Sequence, residues 1–222
     1  MNRPDSALDS KELGYNRATW LRGVGTAVFV PENFEPGYRY PVVVWLEGST
    51  AGFEAKTWFP LISSRNALAI SLRPPHSGQD GWGTSQEDLW QALEYVGESV
   101  TEVAAEVAVH PRRIFLAGRA DGAAMAANIL RTSPERFAGA ILIEPATDAP
   151  PISRHLQRSG PASPVLVISH EAEIREFRKH YGSELNIETV SGSSKSALAR
   201  SINRWLMAQI ESATEVRANG SR

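Results

Sequence analysis

Continuous apolar runs alternate along the chain with segments that are apolar on one side only. The runs at 41–46, 67–72, 137–143 and 164–168 are typical of strands covered on both faces. Behind Ser85, a candidate N-cap, apolar residues recur at helical spacing. This alternation predicts an α/β fold, a mostly parallel central sheet with helices on both faces. Ligand sites of such sheets lie at the carboxyl ends of the strands.

The remaining elements follow from shorter patterns. Strands are predicted at 25–30, 113–117 and 187–190, and helices at 89–107, 123–130 and 198–210. Both ends of the chain are polar, and no repeat or linker divides what lies between them. We therefore predict an N-terminal tail at 1–17, a single α/β domain at 18–211 and a C-terminal tail at 212–222.

Tryptophan placement adds expectations about the core and about binding. Trp90 and Trp205 fit the apolar faces of predicted helices and are expected in the core. Trp58 and Trp82 fall in predicted loops, where they either line a pocket or interface or lie partly buried beneath the loops. The charged segment 171–179 is expected to be a solvated helix with internal ion pairs.

Composition restricts the classes of partner and cofactor. The 222 residues carry a formal net charge of −2, so neither a nucleic acid nor an anionic membrane is an expected partner. The chain has no cysteine, which excludes disulfides and thiolate metal sites. The acidic groupings of Asp80 with Glu87 and Asp88, and of Glu171 with Glu173, are expected to be solvated, so no cofactor is predicted. A chain without an apolar leader or a long apolar span is expected in the cytoplasm.

One short motif points to chemistry. The pentapeptide Gly-Arg-Ala-Asp-Gly at 118–122 lies between a predicted strand and a helix rich in small residues. A strand, a tight G-x-S-x-G turn and a helix form a nucleophile elbow, which lifts a serine above the sheet. The central residue here is Ala120, and its methyl group cannot attack a carbonyl carbon.

At these residues the sequence resembles the α/β-hydrolase superfamily, in particular phospholipase/carboxylesterase and polyhydroxybutyrate-depolymerase-like esterases. The resemblance spans residues 26–207, and its most specific stretches are 112–126 and 41–48. It implies an α/β-hydrolase fold. It also implies hydrolysis of carboxylic esters by a serine, a histidine and an acid, assisted by backbone donors that stabilise an oxyanion.

The resemblance also implies that the catalytic triad is degenerate. Ala120 occupies the nucleophile position, Glu173 the acid position, and Ser193 the position where a histidine is expected. No histidine follows His180. Loss of both the nucleophile and the base indicates a pseudoenzyme, because removing members of a serine-hydrolase triad costs on the order of a million-fold in rate.

A remnant cleft is predicted from the residues around these positions. Ser49 follows the strand that precedes the oxyanion site, and Glu47 stands where relatives have a histidine. Backbone N–H groups of Ser49 or Thr50 and of Asp121 are candidate oxyanion donors, although Glu47 would repel an oxyanion. Residues expected to line the cleft are Glu47, Ser49, Trp82, Asp121 and His170.

Two functions remain open from the sequence. The first is a catalytically inactive hydrolase-like protein that binds a small molecule or a protein partner, a second copy of the chain included. The alternative is a carboxylic-ester hydrolase with an unconventional active site that recruits His170, Glu173, Asp121 or Glu47.

Overall fold

The computed structural model describes residues 19–22, 26–49, 54–75, 81–146, 162–182, 185–190 and 194–219, with the backbone alone for 19–22 and 213–219. The strands are β1 Thr19–Arg22, β2 Thr26–Val30, β3 Tyr40–Leu46, β4 Leu68–Leu72, β5 Val109–Ala120, β6 Gly139–Pro145, β7 Ser163–Ile168 and β8 Leu185–Val190. The helices are α1 Ala55–Ile62, α2 Gln86–Glu106, α3 Asp121–Thr132, α4 Glu171–Tyr181 and α5 Lys195–Asn219.

The described strands form one eight-stranded sheet in the order β1-β2-β4-β3-β5-β6-β7-β8. Strands β3 to β8 pair parallel with one another, whereas β2 pairs antiparallel with both β1 and β4 at one edge of the sheet. The predicted fold class, a mostly parallel sheet with helices on both faces, is thereby confirmed. Strand β1 has no counterpart among the predicted elements.

Two apolar clusters cover the two faces of the sheet. Helices α2, α3 and α4 pack on one face, and α1 and α5 pack on the other. Every residue of β3 is buried, with Val44 and Leu46 in the first cluster and Val43 and Trp45 in the second. Successive strand residues point to opposite faces, so a strand covered on both sides needs an unbroken apolar run.

The helix that follows residue 85 begins as predicted. The hydroxyl of Ser85 accepts a hydrogen bond from the backbone N–H of Asp88 at 3.1 Å, and the Asp88 carboxylate accepts one from the Ser85 N–H at 2.8 Å. This reciprocal capping box satisfies two backbone donors that the helix leaves unpaired. The solvated helix predicted at 171–179 is also present as α4, with ion pairs Arg175–Glu171 and Lys179–Glu176.

The burial of three tryptophans can be compared with their predicted positions. Trp205 lies in the core with 5% of its surface exposed, as predicted. Trp90 is 46% exposed, so its predicted core position is wrong. The buried face of α2 includes the neighbouring Leu89 and Leu93, and Trp90 projects from the other side of the helix. Trp58 is buried within α1 rather than in a loop.

Helix α1 is absent from the predicted elements, and α5 extends further than expected. The eight residues of α1 include Pro60 and begin at an N-cap, Glu54, whose own side chain makes no capping bond. The helical backbone of α5 continues to Asn219, beyond residue 211, where the sequence pattern places the end of the domain.

A buried carboxylate from a distant part of the chain caps α1. Glu47, 1% exposed, accepts hydrogen bonds from the backbone N–H groups of Glu54 at 2.8 Å and Ala55 at 3.2 Å. The Ser71 hydroxyl donates a third at 2.5 Å. A negative charge is favourable at a helix N-terminus, where N–H groups are unpaired. Burial nevertheless raises the pKa of Glu47 above its usual value, against the opposing effect of these hydrogen bonds.

Helix α3 lies unusually close to the sheet because glycines occupy the contact. A Cβ atom added to Gly118 of β5 would lie 2.6 Å from the carbonyl carbon of Gly122. A Cβ added to Gly122 would collide with the carbonyl oxygen of Leu46 in β3. The backbones of two strands and one helix therefore meet with no room for a side chain.

We expect Gly122→Ala to destabilise the protein by about 1–3 kcal/mol, since the methyl group forces α3 away from β3. Gly37→Ala is the matched control, because a Cβ at Gly37 has no atom within 4 Å. Urea unfolding measures both. Equal stabilities of the two variants would contradict the close packing.

We expect Glu47→Gln to change the pH dependence of stability. The pKa of Glu47 in the folded chain is raised above the usual 4.5. The contribution of this group to the free energy of unfolding is therefore complete below pH 4.5 and is lost as the pH rises through the raised pKa. The unfolding free energy of the unaltered chain should therefore fall relative to that of Glu47→Gln from about pH 4.5 upward. Glu188 is an exposed carboxylate on β8, and Glu188→Gln is the control, because it removes the same titrating group from the unfolded chain. A difference between the chain and Glu47→Gln that does not change with pH would refute this expectation.

Candidate active site

The turn between β5 and α3 has the backbone of a nucleophile elbow. Strand β5 ends at Ala120, and α3 begins at the next residue, Asp121. Ala120 has φ 51° and ψ −121°, a conformation that residues with a side chain rarely adopt. The sharp strand-turn-helix geometry predicted from the pentapeptide is therefore present, with a methyl group at its tip.

The side chain next to that tip binds two backbone donors. One oxygen of Asp121 accepts a hydrogen bond from the Ser49 N–H at 3.0 Å, and the other accepts one from the Trp82 N–H at 3.3 Å. Gly81, at φ +127°, leaves space for this carboxylate, because a Cβ there would collide with it. Asp121 thus joins the start of α3 to the residues after β3 and those before α2. The Ser49 N–H, predicted as an oxyanion donor, has a carboxylate partner.

Two of the predicted cleft residues have buried side chains. Trp82 is 3% exposed, and its indole N–H donates to the carbonyl oxygen of Glu47 at 2.7 Å. The carboxylate of Glu47 is directed to the N-terminus of α1. The fold places Ser49 next to Asp121, as the predicted cleft requires. Glu47 and Trp82 are buried beneath this region and hydrogen-bond to each other instead of lining an open cleft.

A charged bridge that the sequence reasoning missed lies beside the elbow. Arg119 pairs with Glu54 at 2.8 Å and with Glu144 at 2.5 Å. Glu144, near the end of β6, has φ 45°. The arginine thus links the start of α1 to the end of β6 across the carboxyl ends of the strands. Partners so far apart in sequence leave no local signal, and only the position of Arg119 inside the pentapeptide singles it out.

The acid position lies at the carboxyl end of β7. Glu173 is in the first turn of α4, and its carboxylate accepts a short hydrogen bond from the Ser169 hydroxyl. His170 is the N-cap of the same helix and is exposed. A hydroxyl, a carboxylate and an imidazole are therefore close in sequence at one strand end. The expected base position, Ser193, lies outside the described residues, as do Thr50 and Asp80.

Within the part of the chain that the structure describes, no three histidine, aspartate or glutamate side chains are grouped to hold a metal ion. Among the same residues, no helix is both long and apolar enough to cross a membrane.

Solved structures with a similar fold include several hydrolases. The Bacillus cereus carboxylesterase has a TM-score of 0.59 at 18% identity, with 77% of this chain and 89% of that chain covered. An esterase from Rhizomucor miehei has a TM-score of 0.63 at 14% identity, covering 92% and 88%. The AtxE2 isopeptidase has a TM-score of 0.59 at 17% identity, covering 86% of this chain and 40% of that one. These low identities establish the fold alone.

No curated protein sequence matches the chain. A family model described as the α/β-hydrolase fold matches residues 62–203, which is more than half of the chain and includes the elbow. Together with the parallel sheet and the turn at Ala120, this match supports one conclusion about ancestry. The chain belongs to the α/β-hydrolase fold family.

Proposed function

We propose that this chain is a pseudo-hydrolase, an α/β-hydrolase-like protein that acts by binding a small molecule or a protein instead of by ester hydrolysis. One observation carries the proposal: the elbow keeps its strained backbone at Ala120 while its side chain is a methyl group. Such strain costs on the order of 1–3 kcal/mol, and in an active hydrolase it serves to present the nucleophile. Here the turn serves the close packing of Gly118 and Gly122.

The contacts of Asp121 support the same proposal. Acyl transfer needs backbone N–H groups directed at the site where negative charge develops. The Ser49 N–H is instead bound by the Asp121 carboxylate at 3.0 Å. A fixed negative charge at this donor opposes a developing oxyanion, because like charges repel. Ester hydrolysis beside Ala120 would require the carboxylate to leave.

The proposal extends to location and partners. We place the protein in the cytoplasm, with a partner that is a small molecule or a protein, a second copy of the chain included. A net charge of −2 disfavours nucleic acid and anionic membranes as partners.

The comparisons favour a second candidate function, carboxylic-ester hydrolysis by an unconventional site. The solved structures of similar fold include a carboxylesterase and a fungal esterase, which support hydrolysis more directly than they support its loss. The hydrogen bond from the Ser169 hydroxyl to Glu173, beside His170, supplies candidate groups away from Ala120. A serine needs an adjacent base to become a strong nucleophile, so this candidate depends on His170 reaching Ser169.

Hydrolysis of p-nitrophenyl acetate and butyrate separates the two functions. We expect the purified chain to give no turnover above that of the same chain after thermal unfolding. Turnover that is lost in Glu173→Ala and His170→Gln, and kept in the control Glu188→Ala on β8, would establish the ester hydrolase and overturn the pseudo-hydrolase.

Restoring the serine tests the elbow itself. We expect Ala120→Ser to remain unreactive toward a fluorophosphonate probe, since a serine hydroxyl without a base is a weak nucleophile. Ala120→Ser combined with Asp121→Ala frees the Ser49 N–H and should also stay unreactive, because no base is added. Labelling is read by intact-mass spectrometry on variants whose folding is checked by circular dichroism. Rapid labelling of Ala120→Ser would reveal a base beside position 120 and contradict the proposal.

A further inference from the structure

The outer face of α2 carries a groove of about 840 Å³ that the elbow does not line. We call it the α2 groove, and it includes the exposed Trp90. Its lining residues are Trp90, Leu93, Glu94, Gly97, Glu98, Thr101, Glu102 and Arg136. An exposed tryptophan beside a groove is typical of recognition surfaces, because tryptophan buries a large area when a partner covers it.

Carboxylates form one side of the groove. Glu94, Glu98 and Glu102 are exposed and four residues apart, so they follow each other along one side of the helix. The 21 residues of α2 contain no lysine or arginine. Like charges at this spacing destabilise a helix by roughly 0.2–0.5 kcal/mol per pair. The acidic row therefore lowers helix stability and is not neutralised from within α2.

The groove already accommodates a guanidinium group of this chain. Gly97 has no side chain, and a Cβ there would lie 2.7 Å from a terminal nitrogen of Arg136. The guanidinium carbon of Arg136 is 5.8 Å from the centre of the Phe137 ring. A glycine inside a helix costs about 1 kcal/mol relative to alanine, and here it opens the space that the arginine fills. A guanidinium group therefore packs directly against the backbone of α2 at Gly97.

We propose that the α2 groove docks a basic segment of a partner protein, with arginines at one-turn helical spacing. Glu94, Glu98 and Glu102 lie about 6 Å apart along the helix axis, which matches cations four residues apart on a second helix. The Trp90 side chain, which is 46% exposed, would bind one guanidinium through a cation–π contact. The same charges repel phosphate groups, which excludes a nucleic acid as the occupant. This docking goes beyond the pseudo-hydrolase proposal and does not depend on it.

The test is fluorescence anisotropy with a labelled alanine-based peptide of roughly 16 residues, which is long enough to be helical and carries arginines at four-residue spacing. A matched peptide has glutamine in place of every arginine. At an ionic strength of about 0.15 M, we expect the full chain to bind the arginine peptide and not the glutamine peptide. The triple variant Glu94→Gln, Glu98→Gln, Glu102→Gln should bind roughly tenfold more weakly, and Trp90→Ala about fivefold more weakly.

A control triple variant, Glu171→Gln, Glu188→Gln, Glu211→Gln, removes the same charge from exposed sites outside the groove. It should retain the affinity of the unaltered chain. An equal loss in both triple variants, or equal binding of the two peptides, overturns the proposal, since attraction to net charge alone would then explain binding. Analytical ultracentrifugation of the unaltered chain and of Trp90→Ala measures whether the groove is instead an interface between two copies. A dimer that Trp90→Ala dissociates would make a second copy the occupant and would likewise overturn it. Ester hydrolysis, if found, leaves these measurements unaffected.

Discussion

The close approach of helix α3 to the sheet is the constraint on which the rest of the site depends. Gly118 and Gly122 leave no side chain between α3 and the strands β3 and β5, so the connecting turn must be sharp. That turn forces Ala120 to φ 51° and sets Asp121 at the start of the helix. From there the Asp121 carboxylate reaches the backbone of Ser49, which orders the region after β3. The architecture of an active site follows from backbone packing, whatever residue occupies position 120.

Carboxylates occupy two sets of backbone donors near the elbow. Glu47 binds the N–H groups at the start of α1, and Asp121 binds those of Ser49 and Trp82. Each carboxylate satisfies donors that would otherwise need water or a ligand, because unpaired N–H groups are costly to bury. The Trp82 indole, bonded to the Glu47 carbonyl, connects the two arrangements. The two carboxylates and the indole therefore form one hydrogen-bonded network beneath and beside the elbow.

Much of the fold could be predicted from sequence because its signals are local. Buried parallel strands require unbroken apolar runs, and the capping box of α2 lies within four residues. Helix α1 escaped prediction because its cap, Glu47, is supplied from outside the helix and because it contains Pro60. The core position predicted for Trp90 is wrong because α2 buries its smaller neighbours Leu89 and Leu93 and leaves the indole exposed. The pentapeptide at 118–122 predicts the elbow correctly. The contact of Asp121 with Ser49 joins residues 72 positions apart, so no local sequence pattern indicates it. The triad positions remain predictions, with Ser193 outside the described residues.

The strained turn at Ala120 separates the shape of the backbone from the identity of the side chain. Its conformation accompanies the close packing at Gly118 and Gly122, which involves only backbone atoms and no atom of the side chain at position 120. Alanine and serine differ by one hydroxyl group, so either side chain meets the same backbone strain at this position. The elbow backbone thus identifies the fold family, whereas the chemistry of a family member depends on the side chains that this backbone carries.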